Sequence, residues 1–164
     1  MNPVQTIRIV AGWTQSRLAQ TAGTSQPTVA AYETGAKSPT WRTVKRLAES
    51  AELACYPSVG QPMTRDQARS LALHQAIVEA MMADPEAVLD AGRGNLVRMR
   101  RSNPAARELL DEWGRILRQP VQQIAARTLD PGERGRDLRQ VTPFAGVLDP
   151  RRRADVYRSF QAAA

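Results

Sequence analysis

The sequence predicts an all-α protein built from two modules, and three observations carry that prediction. Apolar residues recur at helical spacing along most of the chain, a capping residue followed by proline opens segment after segment, and strand-like alternation is absent. Ala51 to Pro62, reading AELACYPSVGQP, breaks this pattern with two prolines and a glycine and no sustained period. The expected layout is therefore a first module of four to five helices at residues 1–54, a linker at 55–63, and an α-helical module at 64–164.

The first module begins with Val4, Ile7 and Val10 at helical spacing, with Gln5 and Arg8 off that face. Thr14 is a good N-cap for a second helix, whose Leu18, Ala19 and Ala22 share one face while Gln15, Ser16 and Arg17 turn outward. Gly23 follows where the chain must turn sharply, and Ser25 caps a third helix with Pro27 in its first turn. In that helix Val29 and Tyr32 face the preceding one, leaving Gln26, Pro27, Thr28, Ala30 and Ala31 around the remaining surface. After Gly35, Ser38 is the expected cap of a fourth helix, with Pro39 in its first turn and Trp41, Val44, Leu47 and Ala48 as its inner stripe.

Two helices meeting at a tight glycine turn, with small and polar residues outward on the second, look like a DNA-reading helix-turn-helix. The run AGWTQSRLAQTAGTSQPTVAAYETGAKSPTWRTVKRLA is similar, end to end, to the Cro/CI-type (XRE) helix-turn-helix family, over about residues 3–53. Its specific parts are the TQ opening, the LA pair, the AG turn, the Ser cap, and the exit at Glu33 and Gly35. The resemblance implies that Arg8 pairs with Glu33, the acid ending the recognition helix; the other possibility is a solvated arginine. It also implies a DNA-contacting set of Gln15, Gln26, Pro27, Thr28, Ala31, Lys37, Thr40 and Arg42. Gln26, at the exposed start of the recognition helix beside Thr28, is the expected base reader, because its amide can bond bidentately to adenine. Gln15, Lys37 and Arg42 are the expected phosphate holders, while Ala31 offers only apolar contact.

The second module opens with the capping-box pattern TRDQ at Thr64 to Gln67, followed by Ala68, Leu71, Leu73, Ile77, Val78 and Met81 as an apolar face. A capping residue before proline then recurs at Asp84, Asn103, Asp130 and Asp149, each expected to begin a helix. Val88, Leu89, Leu96 and Met99, then Leu109, Leu110, Trp113, Ile116 and Leu117, then Val121, Ile124 and Ala125, point inward. Gly92 and Gly94 lack the preceding strand and third glycine of a dinucleotide fingerprint, so close helix packing or a kink is the expected role. The segment LRQVTPFAGVL at Leu138 to Leu148 is either a partner-docking loop or the loop that closes the core. Arg151, Arg152 and Arg153 form either a solvated helix start or a patch for phosphate or an acidic partner.

The chain carries 23 basic and 16 acidic residues, a net charge of +7, which favours a polyanionic partner without identifying it. Six basic and three acidic residues lie in 1–60, seventeen and thirteen in 61–164, so both halves are basic. The single cysteine, Cys55, cannot form an internal disulfide, and no long apolar run stands at the N-terminus, so a cytoplasmic protein is expected. No apolar stretch suits a membrane span. His74 stands alone without ligand spacing, and no metal site, cofactor or catalytic set is expected. The protein is thus expected to be a non-enzymatic, sequence-specific repressor that binds double-stranded DNA at a pseudo-palindromic operator as a homodimer. Size and architecture favour an autoregulating antitoxin that also holds a toxin. The alternative is a stand-alone phage-like or metabolic repressor whose second module dimerises or senses a ligand. Trp113, Phe144, Tyr157 and Phe160 are the expected aromatic surface of the dimer.

Overall fold

The computed structural model describes residues 2–57 and 59–162. Among the described residues there are ten α-helices and no strand. The chain divides into two compact units, Met1–Val59 and Gly60–Ala164.

The first unit comprises α1 (Pro3–Ala11), α2 (Gln15–Thr21), α3 (Gln26–Thr34) and α4 (Trp41–Ser50). Side-chain oxygens of Asn2, Thr14, Ser25 and Thr40 each accept a free backbone N–H in the first turn of these helices. The Asn2 amide also donates to the Tyr32 carbonyl, tying the start of α1 to α3. Val4, Leu18, Val29, Leu47 and Ala48 have no exposed surface or almost none, and form a shared core with Ile7, Ala19, Ala22 and Val44. Ile9 is buried as well.

One boundary differs from the sequence expectation. The cap of α4 is Thr40, whose Oγ1 accepts from the Thr43 amide at 3.2 Å, so Ser38 and Pro39 precede the helix. Trp41 then becomes the first helical residue, at the end where the core stripe has run out, and it is 47% exposed. The inner stripe begins one turn later, at Val44. At the other end Leu53 and Cys55 still pack on this core, which extends the first unit past residue 54.

The second unit comprises α5 (Arg65–Ala83), α6 (Pro85–Ser102), a 3-10 turn at Pro104–Ala106, α7 (Arg107–Ile116), α8 (Val121–Thr128), α9 (Glu133–Gln140) and α10 (Pro150–Ala162). Thr64 and Gln67 form a complete capping box, and Asp84 caps α6 through the Ala87 amide at 3.1 Å. Asp149 accepts from the Arg152 amide at 2.9 Å. The other two cap-proline pairs do not start α-helices. Asn103 makes no capping bond and leads into the 3-10 turn, whereas Asp130 accepts from the Gly132 amide at 2.8 Å and Gly132 becomes the cap residue of α9. At Asp130 the side chain closes a tight turn and α9 starts two residues after Pro131, whereas at Asn103 the 3-10 turn comes first and α7 starts three residues after Pro104.

Trp113 and Phe144 lie at the centre of this unit, edge to face with centroids 5.5 Å apart, and the Trp113 indole donates to the Leu138 carbonyl at 2.9 Å. Gly92 is what lets the Phe144 ring approach α6, because a Cβ there would lie 2.9 Å from its Cε1. Asn95, one turn on, donates to the carbonyls of Pro143 and Ala145 at 2.8 and 3.0 Å. Of Leu138 to Leu148, the first three residues end α9 and the rest, from Val141 on, is the loop that closes the core. This corrects the assignment of Trp113 and Phe144 to a dimer surface: both are buried, leaving Tyr157 exposed and Phe160 half-buried. In the arginine run, Arg152 pairs with Glu79 on α5 at 2.6 Å, and Arg151 and Arg153 are exposed.

His74 is buried on α5, its Nδ1 bonded to the Ser70 carbonyl at 2.7 Å. Burial lowers its pKa to about 4, the Ser70 bond opposes that shift, and the nearby Arg139 charge adds to it. Between pH 6.5 and 4 the unfolded chain therefore binds a proton that the folded chain does not, and stability falls with pH across that window. Wild type should lose about 2 kcal/mol between pH 7 and pH 5 that a His74→Leu variant does not lose. Urea unfolding at both pH values checks this, and equal losses in the two proteins would refute it.

Candidate nucleic-acid interface

α2 and α3 meet at Gly23, whose φ of +62° places it in the left-handed region where glycine carries no Cβ penalty. Ser25 then starts α3, and its hydroxyl lies 2.8 Å from that of Thr28. Gln26 and Pro27 are exposed at the leading end of α3, while Thr28, Ala30 and Ala31 are half-buried along it. Lys37 is exposed just beyond, its backbone amide anchored to the Ala31 carbonyl at 3.0 Å. Arg42 is exposed at the start of α4, next to the exposed Trp41. Arg46 donates to the Ala22 carbonyl, holding α4 against the turn.

The polar groups behind α3 are continuous. Arg8 donates to Glu33 through Nε at 2.6 Å and Nη2 at 3.1 Å, a two-pronged pair in which the Glu33 side chain is only 7% exposed and that of Arg8 19%. Gln15 donates to the same carboxylate at 2.9 Å and accepts from the Gln26 amide at 2.7 Å. A half-buried ion pair on α1 and α3 thus fixes Gln15 on α2, and Gln15 holds the exposed Gln26.

Two of the sequence-assigned contacts have other tasks in this arrangement. Gln15 is half-buried, with both ends of its amide engaged inside the domain, so it positions Gln26 rather than standing free for a phosphate. The Thr40 hydroxyl is used in capping α4. Sequence reasoning also missed Trp13, over which the Arg17 guanidinium lies 5.0 Å from the ring centroid. Their i, i+4 spacing was the available signal, hidden because Trp13 precedes the helix. Arg17 remains exposed and adds a positive charge to α2.

Residues 4–53 match the family model described as a helix-turn-helix domain. The first unit carries a helix-turn-helix DNA-binding domain. The match agrees with the Cro/CI-type resemblance and points to a DNA-binding regulator; the second unit lies outside it. Neither the curated proteins nor the solved structures yield a match. Among the described residues no helix is long and apolar enough to cross a membrane.

Within the helix-turn-helix domain, the Arg8–Glu33 pair joins α1 to α3. Arg8→Met should cost about 2 to 4 kcal/mol, because it leaves a buried carboxylate without its counter-charge. Replacing both partners by apolar residues should recover most of that loss. Hydrogen exchange of the buried Val29 amide in the full chain reads it directly; unchanged protection in Arg8→Met would show the pair to be dispensable.

Proposed function

We propose that the protein is a cytoplasmic, sequence-specific transcriptional repressor that acts by binding DNA and not by catalysis. The observation that carries this reading is the exposed Gln26 amide at the first residue of α3, held by Gln15 and, through Glu33, by Arg8. A side-chain amide presented from a rigid base is suited to bidentate contact with adenine in the major groove. Lys37 and Arg42 are the backbone-phosphate contacts of this reading, which their exposure beyond α3 and at the start of α4 supports.

A single recognition helix specifies few bases here, because Pro27 lacks a donor and Ala30 and Ala31 offer only apolar contact. We therefore propose a homodimer on a pseudo-palindromic operator, with two recognition helices entering successive major grooves about 34 Å apart. The proposal extends to an autoregulating antitoxin, since a second unit with a core of its own can hold a toxin while the first reads the operator. Co-expression with the products of adjacent genes tests that extension, and a stable complex is expected. Without one, the chain is a stand-alone phage-like or metabolic repressor whose second unit dimerises or senses a ligand.

Gln26→Ala should weaken operator binding by about 1 to 3 kcal/mol and leave random DNA nearly unaffected, measured by fluorescence anisotropy on both. An equal loss on the two DNAs would remove Gln26 from base reading. Lys37→Ala should weaken all sequences alike and reduce the salt slope of binding by about 1, and an unchanged slope would count against a phosphate contact. Sedimentation with footprinting should show a dimer protecting two half-sites; a monomer on one half-site would defeat the dimer proposal.

A further inference from the structure

Where α5 and α9 meet, the second unit holds a cavity of about 170 Å³ lined by Asp66, Gln67, Ser70, Arg136, Arg139 and Gln140. The lining is rich in donors. The Gln67 side-chain oxygen is taken by the Thr64 amide at 2.9 Å, which leaves its NH₂ end as the available group. Arg136 donates from Nε to the Pro131 carbonyl and from Nη2 to the Gln61 carbonyl, both at 3.2 Å, which leaves Nη1. Asp66, the acid of the lining, is bridged to Arg69 at 2.9 Å.

Arg139 is the unusual member, at 4% exposure. Its Nη1 donates to the Thr128 carbonyl at 3.2 Å and to the Asp130 carbonyl. Its Nη2 is buried and has no hydrogen-bond partner among the described residues. Burial, with Arg136 adding like charge, pulls its pKa below the ordinary arginine value despite the opposing pull of Asp130. Buried charges in proteins are normally paired, and carbonyl dipoles supply only part of a countercharge. Two guanidinium groups share this small cavity, and Arg139 forms no ion pair with a carboxylate of the described residues.

We infer that the α5–α9 cavity binds a small oxyanion, a carboxylate or a phosphate, held by Arg139 and Arg136 with the Ser70 hydroxyl and Gln67 amide completing its shell. A planar guanidinium matches either oxyanion in charge and spacing, and the remaining donors suit an acceptor-only ligand. Nothing in this site depends on the first unit reading DNA, so operator measurements and ligand measurements can fail separately.

The test uses the full chain at pH 7, titrated with sodium phosphate in one arm and sodium succinate in a second. Sodium chloride at matched ionic strength forms the third arm. Binding is read by calorimetry and by the ring-proton signals of His74, the single histidine, which is bonded to the Ser70 carbonyl beside Arg139. Saturable binding is expected in at least one oxyanion arm, with a His74 shift that chloride does not produce, and the arm that saturates names the oxyanion. Arg139→Gln and Arg136→Gln should each weaken it about tenfold or more, the usual worth of a charge-assisted contact. If Arg139→Gln does not fold, the half-buried Arg136→Gln carries the decision. Responses equal to chloride in both oxyanion arms, or unchanged affinity in Arg136→Gln, would overturn the site.

Discussion

In the first unit α1, α2 and α3 are joined through one ion pair. Arg8 and Glu33 meet through two N–H···O contacts at 2.6 and 3.1 Å, with Glu33 nearly shut off from solvent. Such a pair returns little net stability, because desolvation consumes most of the attraction, but it tolerates few geometries. It therefore acts mainly through specificity: α1, α3 and, by way of Gln15, α2 share one set of positions. Gln26 at the surface inherits that order without being buried itself. The apolar core around Val29 supplies the bulk of the cohesion and leaves the rotation of α3 to these polar contacts.

Much of this was legible in the sequence because it is local. A cap, a glycine turn and an i, i+3, i+4 stripe are decided within a few residues, and Thr14, Ser25, Thr64 and Asp84 act as their positions suggest. The cap expected at Ser38 is supplied by Thr40: two hydroxyl residues two positions apart offer the same chemistry, and local pattern does not rank them. The Gln15–Gln26 link was also hidden, since both residues are polar, sit on different helices and look like free surface groups one at a time.

In the second unit the illegible parts are those decided at long range. Trp113 and Phe144 are 31 positions apart and appear as spare aromatic area until Gly92 is seen to leave room for the ring. Arg139, in a strongly charged stretch reading ERGRDLRQ, has the composition of a solvated helix, yet it is buried where α9 meets the carbonyls of Thr128 and Asp130. Periodicity ranks residues by average hydrophobicity, so a buried cation is what it places worst.

The clasp formed by Asn95 and the Phe144 loop bears on the order in which the protein is made. Every core partner of the first unit has been synthesised once residue 55 has emerged, so that unit can fold while the ribosome is still extending the chain. The second unit cannot shut its core until Phe144 arrives, and Asn95 waits 48 residues for the carbonyl of Pro143. Contacts that bridge such spans close slowly, because the intervening chain must be ordered first. A nascent chain that ends before Phe144 thus holds every core residue of the helix-turn-helix but lacks the ring that packs on Gly92 of α6.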